Sequence, residues 1–420
     1  MDKLLIHHSG PLHGTATVNG AKNSVLPIMA ACLLTDEPST IENAPHVTDV
    51  ALMSEILREL GVEVVVAGDR LTVKPNHYAG TVASYELVSR MRASICVLGP
   101  LLVRQGNAQV SMPGGCVIGP RPIDLHLKGL QTMGATFAIE HGYIVATGRE
   151  MRGARVYLSG AFGSSVLATA NVLMAATLAK GVTTIEHAAC EPEVVDLANF
   201  LIAMGARIEG QGSPVIQVEG VARLRGVRYR IIPDRIEAGT LMIATAIVGG
   251  DLLIEGARAE HLGAVIDKLS EANVKIEKLN GSLRVQAREP AQAVDVTTLP
   301  FPGFPTDLQA QMMALMAVSR GVSVLTEKVY PERFMHISEL NRMGAAITRE
   351  GSSAIIKGVG RLSGAPVRAP DLRASAALIL AGMAAENQTE LSGIEHLERG
   401  YQNLEAQLVR LGAKIERVTQ

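Results

Sequence analysis

Residues 404–418, LEAQLVRLGAKIERV, decide the fold, because their pattern occurs five more times along the chain. Each copy is an amphipathic run that ends at a glycine or asparagine and continues as an alternating apolar strand. The other copies are MSEILRELGVEVVV (53–66), LHLKGLQTMGATFAI (125–139), VDLANFLIAMGARIEG (195–210), VIDKLSEANVKIEK (265–278) and ISELNRMGAAITRE (337–350). The turn residues are Gly61, Gly134, Gly205, Asn273, Gly344 and Gly412, which lie 73, 71, 68, 71 and 68 residues apart. Glycine and asparagine tolerate left-handed backbone best, so every copy predicts a helix, a left-handed turn and a strand.

A second type of helix recurs between the copies and is apolar on nearly every face. Two examples are SSVLATANVLMAATLAKG (164–181) and LQAQMMALMAVSRG (308–321). A helix without a polar face is expected in the protein interior. With the strands that flank it, each unit of about 70 residues predicts the order β-α-β-α-β-β. The predicted fold class is therefore α/β, with two domains that each contain three βαβαββ repeats around buried helices, an inside-out barrel.

The centre of the repeat series, at residues 227–233, predicts the domain boundary. One domain is expected to contain residues 22–230. The other is expected to contain residues 1–21 plus 231–420, because the first residues lack a helix of their own and can supply a missing strand. The active site is expected in the cleft between two such similar domains.

The composition excludes several classes of partner. The chain has 39 Lys and Arg against 41 Asp and Glu, a net charge of −2, and only 7 Tyr and 6 Phe with no Trp. Without a basic surface or many rings for stacking, we expect no nucleic acid partner. The longest apolar stretches are shorter than the roughly 18 residues that span a bilayer, so no membrane partner is expected.

The cysteines and histidines predict neither disulfides nor a metal site. The four cysteines, Cys32, Cys96, Cys116 and Cys190, are too scattered for a disulfide framework and have the character of thiols in a reducing compartment. No histidine has ligands at metal-binding spacing. We therefore expect no metal and no cofactor. The first residues lack the order of a signal peptide, so we expect a cytoplasmic protein.

The segments that lead into the apolar helices carry most of the conspicuous polar residues. Free N–H groups at a helix start suit phosphates and carboxylates, and Lys22, Arg92 and Arg373 would add full charges there. The alternative is that acidic residues in these segments, Asp234, Asp307 and Asp371, are ordinary helix N-caps and that the cations lie on the surface.

A glycine-rich loop carries a candidate reactive thiol. In SMPGGCVIGPRPIDLHLKGL (111–130), Cys116 follows two glycines and Arg121 comes five residues later. A nearby cation favours the thiolate, so Cys116 is a candidate nucleophile or proton donor. The alternative is a buried inert thiol, which is the interpretation expected for Cys32 and Cys96 inside apolar helices. We also favour the inert interpretation for Cys190.

At this level of detail the chain resembles the enolpyruvyl transferases, and the resemblance covers its whole length. It is closest to the members that act on UDP-N-acetylglucosamine. The motifs that carry it are AKNSVLP (21–27), PGGCVIGPRPIDLHLKGL (113–130), EPEVVDLANFL (191–201), PDRIEAGT (233–240), GFPTDLQAQ (303–311), ERFMH (332–336), PDLRASAAL (370–378) and ERGYQNLE (398–405).

The resemblance implies transfer of the enolpyruvyl group of phosphoenolpyruvate to the 3-hydroxyl of UDP-N-acetylglucosamine, with release of phosphate, as the first committed step of peptidoglycan synthesis. Addition and elimination through a tetrahedral ketal need a proton donor, a base and cations around phosphoenolpyruvate. The resemblance implies that Cys116 is the proton donor, a covalent-adduct thiol and the target of fosfomycin. It implies that Asp307 acts at the sugar hydroxyl as the base.

The resemblance also implies the binding residues. The cations around phosphoenolpyruvate are Lys22, Arg121 and Arg399, and the charged cleft is completed by Arg92, Arg333 and Arg373. The sugar nucleotide is expected to contact Asn23, Arg121, Pro122, Ile123, Asp124, Leu125, Val329 and Tyr330. Closure of the loop over the cleft when the sugar nucleotide binds is a further expectation. The sequence does not indicate the oligomeric state.

One segment departs from the family pattern. At the position where the family has Lys or Pro and then Ser-Val-Gly-Ala, this chain has Gly163, Ser164, Ser165 and Val166, followed by Leu167. The missing lysine removes one charge and Leu167 limits a close approach of the backbone, and serine hydroxyls and N–H groups could replace these contacts to the diphosphate. Three alternatives stay open on the sequence. They are the sister activity on shikimate 3-phosphate, a catalytically silent sugar-nucleotide sensor, and an RNA 3′-phosphate cyclase built from related units.

Overall fold

A computed structural model describes residues 2–114, 123–161 and 163–419. The chain divides into two compact units. The amino-terminal unit contains the described residues 20–114, 123–161 and 163–232. The carboxyl-terminal unit contains residues 2–19 and 233–419.

The described residues form thirteen α-helices, most of them joined to strands by short turns. In chain order the helices are α1 (Lys22–Ala31), α2 (Thr48–Glu59), α3 (Tyr85–Val88), α4 (Leu98–Gln105), α5 (Asp124–Thr132), α6 (Val166–Ala176), α7 (Pro192–Ala203), α8 (Arg235–Val248), α9 (Gly263–Glu271), α10 (Gln309–Val318), α11 (Ile337–Arg342), α12 (Leu372–Ala384) and α13 (Leu404–Arg410). Short 3-10 helices cover Cys32–Leu34, Arg92–Val97, Ala259–His261, Thr306–Leu308 and Ile394–Arg399.

The strands are short. The first sixteen are β1 (Lys3–His7), β2 (Leu12–Thr17), β3 (Ser39–Glu42), β4 (Glu63–Ala67), β5 (Arg70–Lys74), β6 (Val82–Ala83), β7 (Asn107–Ser111), β8 (Thr136–Glu140), β9 (Tyr143–Thr147), β10 (Arg155–Tyr157), β11 (Ser159–Gly160), β12 (Gly163–Ser164), β13 (Val182–Glu186), β14 (Arg207–Glu209), β15 (Val215–Glu219) and β16 (Arg228–Arg230). The others are β17 (Gly250–Glu255), β18 (Lys275–Leu279), β19 (Ser282–Ala287), β20 (Val296–Thr298), β21 (Val322–Glu327), β22 (Ala346–Glu350), β23 (Ser353–Lys357), β24 (Leu362–Ser363), β25 (Pro366–Arg368), β26 (Ala385–Glu386), β27 (Gln388–Ser392) and β28 (Lys414–Val418).

Six four-stranded sheets in the described residues share one pairing scheme. In the order β10-β13-β15-β14, the first pair is parallel and the other two pairs are antiparallel. An apolar helix connects the two parallel strands, and an amphipathic helix connects the second strand to the third in sequence. The strands pair in the same way in β6-β7-β9-β8, β16-β3-β5-β4, β2-β17-β19-β18, β20-β21-β23-β22 and β25-β27-β1-β28. Several elements rather than a single helix lie between the parallel strands β16 and β3, and between β2 and β17, because these strands come from distant parts of the chain.

The strands at the amino terminus complete sheets of the carboxyl-terminal unit. Strand β1 pairs antiparallel with both β27 and β28, and β2 pairs parallel with β17. Conversely, β16 comes from the middle of the chain and pairs parallel with β3. The helix that follows β2 in sequence, α1, therefore belongs to a repeat whose first strand is β16.

Each unit has its own core, which is built around its apolar helices. The two clusters of buried side chains are separate, one for each unit. In the carboxyl-terminal unit α8, α10 and α12 contact one another, and in the amino-terminal unit α6 contacts both α1 and α4. The sheets cover these helices with one face and expose alternate residues on the other. The predicted α/β fold of two sets of three βαβαββ repeats around buried helices is confirmed.

The six predicted turn residues all have left-handed backbone. Their φ angles are 90° for Gly61, 105° for Gly134, 108° for Gly205, 70° for Asn273, 87° for Gly344 and 113° for Gly412. In each case the turn reverses the chain from an amphipathic helix into the next strand, as the sequence pattern predicts.

Candidate active site

In the carboxyl-terminal unit, two arginines from distant segments converge on Asp307. Asp307 lies in the 3-10 helix Thr306–Leu308, which leads into α10. Its Oδ1 accepts a hydrogen bond of 2.8 Å from Arg333 Nη1, and its Oδ2 accepts bonds of 3.2 and 3.0 Å from Nε and Nη2 of Arg373. Both arginine side chains are buried, whereas 26% of the Asp307 side chain is exposed. The carboxylate is therefore the accessible member of this group.

The two guanidinium groups and the Asp307 carboxylate stabilise one another in their ionised forms. Burial is the largest single effect on Arg373 and lowers its pKa. The interactions with Asp307, and then with Tyr401 and Asp234, together outweigh burial, so the pKa of Arg373 lies above the ordinary range. Burial is also the largest effect on Arg333 and lowers its pKa, but the charges of Asp307 and Asp371 and the hydrogen bond to Asp307 together raise it above the ordinary value. Both guanidinium groups therefore keep their protons, and they stabilise the ionised carboxylate between them. An ionised, oriented and accessible carboxylate can accept a proton from a bound hydroxyl.

A second layer of polar side chains fixes Arg373. Its guanidinium carbon lies 5.1 Å from the centre of the Tyr401 ring, within cation–π range. The Tyr401 hydroxyl hydrogen-bonds Thr240 Oγ1 at 2.9 Å and accepts a bond of 3.1 Å from Gln311 Nε2, which also donates to the main-chain oxygen of Asp307. No role for Tyr401, Thr240 or Gln311 is predicted from the sequence. Thr240 and Gln311 could have been recognised as polar residues inside apolar helices, because buried polar groups need partners.

The N-cap interpretation holds for two of the three acidic residues in these helix-entry segments. Asp234 accepts hydrogen bonds from the main-chain N–H groups of Ile236 and Glu237 and caps α8. Asp371 caps α12 in the same way. Asp307 instead binds the two arginines, so its side chain is committed to charge pairing at the site.

Two other predicted residues of this unit lie on nearby elements. Val329 is half-buried just after β21, and its N–H donates to Glu327 Oε1 at 2.8 Å. Arg399 is half-buried at the end of the 3-10 helix Ile394–Arg399, which packs against α12. Their roles toward a substrate stay predictions.

In the amino-terminal unit, the predicted cation Lys22 begins α1. Its Nζ lies 2.7 Å from Oδ2 of Asp49, whose side chain is 1% exposed. Asn23 follows as a half-buried residue, and the buried Ser24 donates a hydrogen bond to the carboxylate of Asp196. That carboxylate also accepts from the Tyr229 hydroxyl at 2.7 Å. Two buried carboxylates, Asp49 and Asp196, therefore fix the first turn of α1, which contains Lys22, Asn23 and Ser24.

Arg92 begins the 3-10 helix Arg92–Val97 and lies near the buried His126. Burial, and secondarily the charge of Arg92, lowers the pKa of His126 to about 3. Asn171 Nδ2 donates to His126 Nδ1 at 2.9 Å and to the Ile95 oxygen, while Asn171 Oδ1 accepts from Gly99 N. This network assigns the acceptor role to Nδ1, so His126 is a neutral imidazole whose proton is on Nε2.

The segments predicted to hold the sugar nucleotide are partly described. Ile123 is buried, whereas Asp124 is exposed at the start of α5 and Leu125 is half-buried. Gly163 and Ser164 form β12, which pairs with β11, and Ser165 caps α6 by accepting from Ala168 N at 3.3 Å. Val166 is the first residue of α6. Cys116, Arg121 and Pro122 lie outside the described residues.

The other cysteines fit the inert interpretation. Cys32 and Cys96 are fully buried free thiols, and burial raises the pKa of each to about 12. Cys190 is partly buried, and burial raises its pKa as well. Among residues 2–114, 123–161 and 163–419, no group of three or more His, Cys, Asp or Glu side chains could hold a metal ion. In the same ranges, none of the helices combines the length and apolarity required to cross a bilayer.

Comparison with known proteins gives close relatives over the whole chain. The chain is 52% identical over 415 residues to "UDP-N-acetylglucosamine 1-carboxyvinyltransferase 1" of Caldanaerobacter subterraneus subsp. tengcongensis, with 99% of both chains covered. It is 50% identical to "UDP-N-acetylglucosamine 1-carboxyvinyltransferase" of Methylacidiphilum infernorum, with 100% and 99% covered.

Solved structures show the same fold. The enolpyruvyl transferase NikO from Streptomyces tendae aligns with a TM-score of 0.90 at 26% identity and covers 100% of this chain and 99% of its own. EPSP synthase from Acinetobacter baumannii aligns with a TM-score of 0.77 at 19% identity, with both chains fully covered, and that likeness concerns the fold alone. The family profile described as EPSP synthase (3-phosphoshikimate 1-carboxyvinyltransferase) matches residues 6–408. The chain therefore belongs to the EPSP synthase family of enolpyruvyl transferases.

Proposed function

We propose that this chain transfers the enolpyruvyl group of phosphoenolpyruvate to the 3-hydroxyl of UDP-N-acetylglucosamine and releases inorganic phosphate. The observation that carries the proposal is the identity of 50–52% over the whole chain to relatives named for this transfer. The reaction is the first committed step of peptidoglycan synthesis. The chain is accordingly a transferase that needs two substrates and neither a metal nor a cofactor.

Asp307 is the proposed base for the sugar hydroxyl. Its partial exposure and its two charged hydrogen-bond partners support this role, because they keep an ionised carboxylate in a fixed orientation. Arg333 and Arg373 hold it, and in the proposal they also contribute positive charge where the substrates carry negative charge.

The proposal assigns the remaining predicted residues to binding. The group around phosphoenolpyruvate consists of Lys22, Arg121 and Arg399, and Arg92 completes the charged cleft with Arg333 and Arg373. The group around the sugar nucleotide consists of Asn23, Arg121, Pro122, Ile123, Asp124, Leu125, Gly163, Ser164, Ser165, Val166, Val329 and Tyr330. Support for Ser165 comes from its capping bond, in which the hydroxyl oxygen accepts and the hydroxyl proton can still be donated to a phosphate oxygen.

We also propose a cytoplasmic location. The support is chemical, since the three described cysteines are free thiols.

Turnover with defined substrate pairs tests the proposed function. Phosphate release is measured with phosphoenolpyruvate and UDP-N-acetylglucosamine, and separately with phosphoenolpyruvate and shikimate 3-phosphate. We expect phosphate release with phosphoenolpyruvate and UDP-N-acetylglucosamine, and no release with phosphoenolpyruvate and shikimate 3-phosphate. Release only with shikimate 3-phosphate would assign the sister activity. Sugar-nucleotide binding without release would assign a silent sensor, and either result would overturn the proposal.

The role of Cys116 predicts covalent labelling. Fosfomycin should add one adduct mass to the wild-type chain and none to the Cys116→Ser variant, because the thiol is the proposed nucleophile. Intact-protein mass spectrometry measures this directly, and Cys190→Ser serves as the control because Cys190, unlike the fully buried Cys32 and Cys96, is only partly buried. An adduct that persists on Cys116→Ser would refute the assignment.

A further inference from the structure

A fully buried carboxylate, Glu327, stands next to the Asp307 group and has no role in the proposed reaction so far. It is the last residue of β21, and its relative exposure is 0%. A buried carboxylate is costly unless hydrogen bonds satisfy both of its oxygens. Glu327 accepts four hydrogen bonds, and they divide unequally between its two oxygens.

The bond to Oε2 leads to Asp307. Thr306 Oγ1 donates to Glu327 Oε2 at 2.9 Å, and because a carboxylate only accepts, the direction of the Thr306 hydroxyl proton is fixed. The Thr306 oxygen can then accept from Arg333 Nη1, which lies 3.1 Å away. The same Nη1 donates to Asp307 Oδ1 at 2.8 Å. Glu327 thus sets the position of Arg333 through a single hydroxyl group.

The bonds to Oε1 lead to a different segment. The main-chain N–H groups of Val329 and Tyr330 donate to Oε1 at 2.8 and 2.9 Å. Thr298 Oγ1 also donates to Oε1, at 2.6 Å, and accepts from Lys328 N at 3.1 Å. These bonds hold the backbone of residues 328–330 in place, directly at Val329 and Tyr330 and through Thr298 at Lys328. Val329 and Tyr330 are the residues of this segment that the proposed function assigns to the sugar nucleotide.

We propose that Glu327 is a positioning residue with two separable effects, one through each carboxylate oxygen. Oε2 orients Thr306 and Arg333 and so positions Asp307 for the chemical step. Oε1 shapes residues 328–330 and so affects the affinity for the sugar nucleotide. The inference rests on the proposed function, because both effects concern that reaction.

The Oε2 effect is tested with Thr306→Val and Glu327→Gln. In Glu327→Gln the amide oxygen must stay toward the three donors at Oε1, which turns the NH2 group toward Thr306 and reverses the bond there. Both variants are expected to lower kcat by about 10- to 100-fold, with KM for UDP-N-acetylglucosamine within about 3-fold of wild type. Thr306→Ser keeps the hydroxyl group and should restore kcat.

The Oε1 effect is tested with Thr298→Val, which removes one donor and the acceptor for Lys328 N. We expect KM for UDP-N-acetylglucosamine to rise by about 5-fold or more, with kcat nearly unchanged. The matched control is Asp295→Asn. Asp295 also accepts a main-chain N–H of β21, from Val324 at 2.7 Å, but Asp295 is exposed and Val324 lies three residues before Glu327, so this variant should leave both constants unchanged.

Two results would overturn the inference while leaving the proposed function intact. One is wild-type kcat in Thr306→Val. The other is a loss of kcat in Thr306→Val that Thr306→Ser does not restore, because this would mean that the hydroxyl is not the link. If the wild-type chain released no phosphate with UDP-N-acetylglucosamine, the proposed function would fail, and the inference with it. Circular dichroism spectra of all variants establish that a lost activity does not reflect unfolding.

Discussion

Asp307 is the residue on which the chemistry of the carboxyl-terminal unit depends. The two arginines that bind it, Arg333 and Arg373, lie 26 and 66 positions after it in the sequence. Each of them is buried with the carboxylate as its direct ion-pair partner. Removing one member of a buried ion pair leaves the other charge uncompensated, so Asp307 is expected to affect both stability and turnover.

Asp307→Asn separates these two effects. The amide cannot take up a proton, and its NH2 group must face one of the two guanidinium groups, so we expect kcat to fall by about 100-fold or more. The free energy of unfolding should fall by about 2 kcal/mol. This is less than the roughly 3–5 kcal/mol lost when a fully buried ion pair is broken, because Asp307 is partly exposed. Steady-state kinetics and calorimetry measure the two quantities.

The control for this prediction is Asp251→Asn. Asp251 accepts from Nε and Nη2 of Arg284 at 2.8 Å each, which repeats the two-pronged contact of Arg373 on an exposed surface. Its loss should leave turnover unchanged and cost at most about 1 kcal/mol. Turnover close to wild type in Asp307→Asn would remove Asp307 from the chemical step.

At the scale of elements, the left-handed turns determine how each amphipathic helix joins its strand. The sequence predicts all six turns, because each turn is determined locally by a glycine or asparagine and does not depend on contacts with distant residues. The 3-10 start of the helices at Arg92 and at Thr306 was not predicted. These irregular turns depend on side-chain contacts such as the hydrogen bond from Thr306 to Glu327. Such contacts join residues far apart in sequence, so they produce no periodic pattern in the sequence.

Gly205→Ala tests a turn in isolation. Gly205 has φ of 108°, and a Cβ placed there would meet no atom within 4 Å, so any cost comes from the backbone angle alone. We expect a loss of about 1–2 kcal/mol in the free energy of unfolding. Asn273→Gly, at the equivalent turn with φ of 70°, should change stability by less than about 0.5 kcal/mol. Thermal unfolding of both variants measures the difference, and equal stability of Gly205→Ala and wild type would contradict this account.

At the scale of the whole molecule, the repeat pattern was sufficient to predict two sets of three repeats and the buried helices. The sequence also identifies Lys22, Arg92, Asp307 and Arg373 as unusual, because charged residues stand beside apolar helices. It does not show which of them meet. The pairing of Asp307 with Arg373 joins two repeats, and the bond between Asn19 and Glu237 joins residues 218 positions apart. Such contacts are consequences of the assembled fold, whereas each helix and turn reflects its own local sequence.

Glu237 makes one of these long-range contacts sensitive to pH. It is buried in α8 and accepts hydrogen bonds from Asn19 N at 3.2 Å and Asn19 Nδ2 at 2.9 Å. Burial, and then the charge of Asp234, raises its pKa from 4.5 to about 8. Between these two values the folded chain binds more protons than the unfolded chain. The free energy of unfolding therefore falls as pH rises from 4.5 to 8, because Glu237 must ionise inside the core.

Glu237→Gln keeps the side chain neutral at every pH and should remove this contribution. We expect the melting temperature of wild type to fall more between pH 5 and pH 9 than that of Glu237→Gln, so that the variant is the more stable of the two at pH 9. Glu350→Gln, which replaces an exposed glutamate in the same unit, should follow the wild-type curve. Scanning calorimetry across this pH range measures all three proteins. Parallel curves of melting temperature against pH for Glu237→Gln and wild type would contradict this account. They would show that Glu237 titrates at the same pH in the folded and unfolded chains, so that burial beside Asn19 does not raise its pKa.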